Sequence, residues 1–264
     1  MARFDLSDFE WSVIQPLLPT KVRGVPRVDD RRVLNGIFWR LRTGAPWADI
    51  PSRYGPHTTC VNRFNRWRKP VLSFAEGAGH WARILQSVSA AYEGDIQMID
   101  SSSIRVHQHA ANAKKKTTDP ALMGRSRGGL TTKIHALVDA LGLPIGLKLT
   151  EGQAHDGRSA ADMLDGLGEG DILLGDRAYD SDAMRATLAA RGAWACVKPM
   201  PNRKRIPAFS PFLYRYRNLV ERFFSKLKHF RAVATRYDKR SDNFLASIQL
   251  ACIRIWLRHN ESVT

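Results

Sequence analysis

Three acids, Asp100, Asp176 and Glu221, stand in surroundings where a lone carboxylate is unexpected. Glu221 lies in the stretch YRYRNLVERFFSKLKHFR, Tyr214 to Arg231. Taken as a helix at about 100° per residue, this stretch puts Tyr214, Arg217 and Lys228 within roughly 40° of Glu221. Phe212, Tyr216, Leu219, Phe223, Leu227 and Phe230 fall on the opposite side, which predicts a buried face. Asp100 interrupts a strand pattern in which Ile96, Met98, Ile104 and Val106 share its side, and a charge buried there is costly unless paired or metal-bound. Asp176 follows the apolar run ILLG, at the end of a predicted strand. Each acid has a plain alternative: an ion pair with Arg217 for Glu221, a strand-end turn with Ser101 to Ser103 for Asp100, a turn cap for Asp176. Brought together, three carboxylates repel one another unless divalent cations neutralise them. Mg²⁺, a hard ion favouring oxygen, needs only a few carboxylates beside water and phosphate.

The elements that must position these acids follow from the periodicities around them. The first ninety residues read as helical. Ser7 and Glu10 make a capping-box pattern, and Asp29 and Asp30 open a second helix carrying Val33, Leu34, Ile37, Phe38 and Leu41 until Gly44 and Pro46 close it. A helix from about Thr58 is predicted with Val61 and Phe64 inward and Asn62, Arg63, Asn65, Arg66 and Arg68 outward. The pair resembles a helix-turn-helix, and Arg63, Arg66 and Arg68 are candidate DNA contacts, although a solvated face has the same composition. Trp81, Ile84, Leu85 and Val88 predict one more helix before Gly94.

From Asp95 the pattern turns strand-like, with His107 and His109 read as exposed strand residues that could meet phosphate. Lys114 to Lys116 lie in a polar linker that suits a solvated loop or a phosphate track. KIHALVDALGLPIGLKLTEGQ predicts an antiparallel hairpin turning at Ala140 to Leu143. A helix over Arg158 to Leu167, the strand before Asp176, a helix from Ser181 to Gly192, the strand WACVKP and a final helix over Asn243 to His259 complete the chain. We therefore expect two domains: a helical DNA-binding domain over 1–92 and an α/β catalytic domain with C-terminal helices over 93–264.

With 41 Lys and Arg against 25 Asp and Glu among 264 residues, the net charge of +16 points to a polyanionic partner, nucleic acid before a membrane. A run of about 18 apolar residues and a signal-peptide pattern are both missing, which predicts a cytoplasmic protein without a membrane partner. Cys60, Cys196 and Cys252 are isolated and read as small core residues.

The order of strand with Asp100, hairpin, helix, strand ending in Asp176, helix, strand and helix with Glu221 is that of a ribonuclease-H-like mixed-sheet core. The motifs IDSSSIRVH, LLGDRAYDS and Y-x2-R-x3-E-x6-K resemble those of the DDE transposases of bacterial insertion sequences. WRLRTGAPWADIP, SRGGLTTKIHALVDALG, GQAHD and FFSKLKHFRAVATRYDK are similar to the insertion-sequence-five family in particular, and the likeness runs from about Leu6 to Trp256. The resemblance implies a transposase that binds terminal inverted repeats, cleaves at the element ends and joins the 3′ ends to target DNA. It implies two Mg²⁺ ions held by Asp100, Asp176 and Glu221, with Mn²⁺ as a substitute, phosphate contacts from Arg217 and Lys228, and stacking or a phosphate hydrogen bond from Tyr214. His155 and Asp156 are supporting candidates, and a homodimer or higher oligomer in the synaptic complex is expected by analogy. A stand-alone nuclease with the same core and a DNA-binding regulator without strand transfer are the alternatives.

Overall fold

A computed structural model of the chain describes residues 3–19, 29–71, 78–90, 94–112, 121–159 and 161–263; the basic stretch KVRGVPR at 21–27, read from the sequence as a linker, and Lys114 to Lys116 lie outside them. The first four helices are α1 (Asp8–Ile14), α2 (Asp30–Thr43), α3 (His57–Arg68) and α4 (His80–Ser89). Then follow β1 (Ile96–Val106), the one-turn α5 (Gln108–Ala111), β2 (Gly124–Ser126), β3 (Gly129–Val138), β4 (Pro144–Glu151), α6 (Asp156–Ser159), β5 (Ile172–Gly175), α7 (Asp182–Ala190) and β6 (Trp194–Val197). The last part holds α8 (Pro211–Tyr214), α9 (Asn218–Lys228), α10 (Arg231–Ala234), the two-residue β7 (Thr235–Arg236) and α11 (Ser241–Val263). Contacts divide the chain into a helical unit of 1–91, 107–121 and 227–264 and an α/β unit of 92–106 and 122–226. The sequence places a single cut after residue 92; by contacts the C-terminal helix belongs with the N-terminal ones.

That grouping has a physical cause. α11 buries residues on almost every side, from Phe244 through Leu250 to Leu257, so it needs helices around it. α4 presents Trp81, Ile84, Leu85 and Val88 and α2 presents Val33, Leu34, Ile37, Phe38 and Leu41, all buried. α1 begins on the expected capping box: the Ser7 amide donates to Glu10 Oε2 at 2.8 Å and the Glu10 amide to Ser7 Oγ at 3.0 Å. The same buried Oε2 of Glu10 also pairs with Arg254 of α11 at 2.9 Å. α2 is capped by Asp29 and ends at Gly44, whose φ of +72° is a left-handed conformation that favours glycine. Residues 44–56, including two 3-10 turns, join α2 to α3, a longer connection than the three- or four-residue turn of a helix-turn-helix.

In the α/β unit the strands run β2-β3-β1-β5-β6, with β4 also on β3. β1 is antiparallel to β3 and parallel to β5, and β5 is parallel to β6, as a ribonuclease-H-like order requires. β5 and β6 are short and buried, and with Ile99, Leu137, Leu164, Leu167, Tyr179 and Leu188 they form the core beneath the sheet. The hairpin turns where expected, at 139–143, held by the buried Asp139, whose Oδ1 accepts from the Leu141 and Leu143 amides at 2.8 Å. Two expectations change. The helix over Arg158 to Leu167 is instead a turn of α-helix and a 3-10 turn, Ala161–Leu164. β1 stops at Val106, and His107 caps α5 through a bond from the His109 amide at 3.3 Å, so neither histidine is a strand residue. The three cysteines are free and buried, as expected. Among the described residues no helix is long and apolar enough to cross a membrane.

Candidate active site

Asp100 and Asp176 come together through strand register. β1 and β5 pair in parallel as far as Met98 opposite Leu174, and Asp100 and Asp176 each follow two residues later, near enough for the charge of Asp176 to act on Asp100. Asp100 stays within β1, whose antiparallel pairing with β3 continues there opposite Ala136. Asp176 lies just beyond β5, where its Oδ1 accepts from the Ala178 amide at 2.9 Å and starts the 3-10 turn Arg177–Tyr179. The cap foreseen as the plain alternative is therefore real. One carboxylate oxygen still has no part in it.

Glu221 reaches the same place from α9. The stretch Tyr214 to Arg231 is not one continuous helix: α8 gives way to a 3-10 turn, Arg215–Arg217, before α9 begins at Asn218. A 3-10 turn advances by 120° instead of 100° per residue, so the faces rotate across it. Phe223, Leu227 and Phe230 are buried as expected, but Phe212 is 60% and Tyr216 47% exposed, a correction to the predicted face. Arg217, placed by that turn, donates from Nη1 to Asp100 Oδ2 at 3.1 Å and from Nη2 to Glu221 Oε1. Its guanidinium also lies 5.5 Å from the centre of the Tyr214 ring, with Lys198 Nζ 5.6 Å from the same ring. Lys228, at the exposed end of α9, falls in the helical unit.

The electrostatics record the convergence. The Asp100 carboxyl is pushed up to about 6, first by burial and then by the negative charges of Asp176 and Glu221, against the opposing Ser101 amide and Arg217. Among the described residues no three potential ligands stand close enough to hold a metal ion as they are placed, and Arg217 is paired with both Asp100 and Glu221. The donor set nevertheless fits a hard divalent ion. All three side chains are carboxylates, the oxygen ligands such an ion prefers.

A supporting network lies behind Asp100. Ser101 Oγ donates to Asp156 Oδ1 at 2.8 Å, and Lys133 Nζ pairs with the same oxygen at 2.9 Å while donating to the Ala154 carbonyl at 2.7 Å. Burial lowers His135 to about 4, and its Nε2 meets Thr150 Oγ1 at 2.8 Å, so the ring is a neutral strut. Burial raises the Tyr179 hydroxyl, and Asp156, Asp100 and Asp176 raise it further. Asp156 was singled out from GQAHD; Lys133 was not, and Ser101 was read only as part of a strand-end turn. Of the N-terminal arginines, Arg66 is exposed as expected. Arg63 is buried against Trp67 and paired with Asp30, and Arg68 is paired with Asp242, so neither is freely outward.

Comparison with known proteins bears on this geometry. A family model described as "Transposase DDE domain" matches residues 92–256, and one described as "Putative transposase of IS4/5 family" matches residues 6–75. Among curated relatives, "Putative transposase for insertion sequence element IS6501" of Brucella ovis is 42% identical over 130 residues, 49% of this chain and 100% of that protein. "Putative transposase for insertion sequence element IS402" of Burkholderia cepacia is 30% identical over 149 residues, 52% of this chain and 67% of that protein. Among solved structures, the piggyBac transposase synaptic complex with hairpin DNA aligns with a TM-score of 0.54 at 12% identity, covering 98% of this chain and 74% of that one. At that identity the likeness speaks for the fold.

Proposed function

This chain belongs to the DDE-domain transposases of insertion sequences, enzymes that cut and rejoin DNA, and from that premise we propose that Asp100, Asp176 and Glu221 form its catalytic and metal-binding site. The observation that carries the assignment is the meeting of Asp100 and Glu221 on one guanidinium, with Asp176 just beyond the neighbouring strand. Family membership implies divalent-metal dependence; the finer reading is two Mg²⁺ ions, with Mn²⁺ substituting. When bound, such ions make water or a 3′ hydroxyl a competent nucleophile and stabilise the leaving oxygen of an in-line displacement.

The chain's own groups then have separate tasks. Asp100 and Asp176, fixed on paired strands, supply oxygens whose spacing the sheet sets. Glu221 supplies a third from an exposed helix turn, which leaves it free to adjust. Arg217 neutralises Asp100 and Glu221 and, drawn toward a scissile phosphate, offers its two-pronged donor face to the phosphate oxygens. Tyr214, whose ring lies near Lys198 and Arg217, stacks on a distorted DNA end or hydrogen-bonds a phosphate. Its substrates are the terminal inverted repeats of its own element and a target duplex. Because an element has two ends that must be joined together, the working form is a homodimer or higher oligomer.

The test is a plasmid carrying the element ends, incubated with the full chain and Mg²⁺. Wild type cuts at the ends and transfers the 3′ strands, whereas Asp100→Asn, Asp176→Asn and Glu221→Gln bind the ends without cutting. Undiminished cutting by any of these variants removes that residue from the site.

A further inference from the structure

The sequence offers α3 as the DNA-facing element of the helical unit, yet two of its three candidate arginines are spoken for: Arg63 by Asp30 and Arg68 by Asp242. A different surface of that unit has the opposite character. An open basin of about 520 Å³ is lined by Arg3, Arg42, Lys228, His229 and Arg231. Among the described residues none of these five forms an ion pair with an acid. Many cations elsewhere do find one, such as Arg31 with Asp8 at 2.6 Å or Lys148 with Asp162 at 2.6 Å. Gathering like charges without a counter-ion is unfavourable, and it is sustained here by fixed elements.

The placement is built by backbone. α2 ends at Gly44, where a Cβ would lie 2.9 Å from the Cβ of Arg231, so only glycine lets the end of α2 close onto α10. That approach brings Arg42 and Arg231 to one cavity, and Arg42 is further fixed by its guanidinium 5.3 Å from the Phe230 ring. Burial, Arg258 and Arg3 all lower the affinity of Arg42 for its proton, in keeping with a crowded positive site. Arg3, Lys228 and Arg231 are exposed, so an incoming ligand meets their charges directly. A ligand for several unpaired cations must carry several anionic groups in series. With a net charge of +16 and a family that works on DNA, the phosphodiester backbone fits this description best.

We propose that this basin is a phosphate-backbone anchor, in which Arg3, Arg42 and Arg231 grip phosphates of duplex DNA independently of sequence. It deepens the transposase reading by resting on DNA as partner, but it uses none of the three acids. The experiment measures binding of the full chain to an element-end duplex and to a scrambled duplex over a range of salt, by fluorescence anisotropy. Arg3→Gln and Arg231→Gln, both at exposed positions, should each make the plot of log affinity against log salt shallower by about 0.9, on both duplexes alike. The triple variant with Arg42→Gln should lose about 2.7 in slope, and the triple lysine variant should keep most of the wild-type slope. Slopes unchanged in the exposed single variants overturn the proposal. So does a loss confined to binding of phosphatidylserine vesicles, which would make the basin a lipid site. If the wild type binds and cuts DNA while the variants keep its slope, this inference alone fails. If the wild type binds no duplex, the transposase reading of this chain fails with it.

Discussion

In the α/β unit two acids, Asp100 and Glu221, share one guanidinium, while in the helical unit four cationic side chains and His229 gather without an acid partner among the described residues. Most other buried charges are closed off: Glu10 with Arg254, Arg63 with Asp30, and Asp180 with Arg185 and Arg203. The difference separates two uses of charge. A buried charge with a well-placed partner fixes the fold, and its loss leaves the partner stranded. A cluster of one sign left short of partners is held by the fold at some cost and is completed by something from outside. On the readings proposed above, the acids take cations and the basin takes polyanions.

This contrast predicts that compensated and uncompensated charges respond in opposite ways. The largest effect falls on chemistry: Asp176→Asn lowers end cleavage by at least about 10³-fold, some 4 kcal/mol of barrier, while end binding by anisotropy is retained. Next comes a compensated pair. Arg254→Ala strands Glu10, so urea denaturation should report a loss of about 3–5 kcal/mol; a loss below about 1 kcal/mol would erase the distinction drawn here.

Asp100 moves the other way. Its carboxyl is raised to about 6 in the folded chain from an ordinary 3.8, so its contribution to stability is fully present below about pH 4 and is lost as pH rises through 6. Without metal, Asp100→Asn should therefore stabilise the protein at pH 7 by up to about 3 kcal/mol, less what Arg217 loses as a partner. The gain shrinks on acidification below about 6, and denaturation midpoints at pH 7 and pH 4 check the sign. The smallest effect belongs to the basin: Arg42→Gln, which removes one of several unpaired cations, should stay within about 0.5 kcal/mol of wild type.

Much of the site was legible because its signals are local. Asp100 breaks a two-residue alternation and Asp176 ends an apolar run, so strand periodicity exposes both, and the capping box at Ser7 and the stop at Gly44 are equally local. The helix of Glu221 was legible in composition but not in geometry. Its faces were read at a constant 100° per residue, and the 3-10 turn at Arg215–Arg217 broke that phase, leaving Phe212 and Tyr216 exposed. Arg63 and Arg68 were misplaced because a helical wheel shows a charge and not its partner: Asp30 and Asp242 are 33 and 174 residues away by subtraction. The basin was invisible for the same reason, since Arg3, Arg42 and Arg231 make no run in the sequence and meet only when α2 closes on α10.

The central claim is that Asp100, Asp176 and Glu221 are ligands of one catalytic metal site, and changing the metal's preference tests it most directly. Asp176→Cys replaces a hard oxygen with a soft sulfur, which Mg²⁺ disfavours and Mn²⁺ tolerates better. End cleavage by this variant, measured in each metal against wild type, should be abolished in Mg²⁺ and partly restored in Mn²⁺. Cleavage in Mg²⁺ equal to that of wild type would contradict the account.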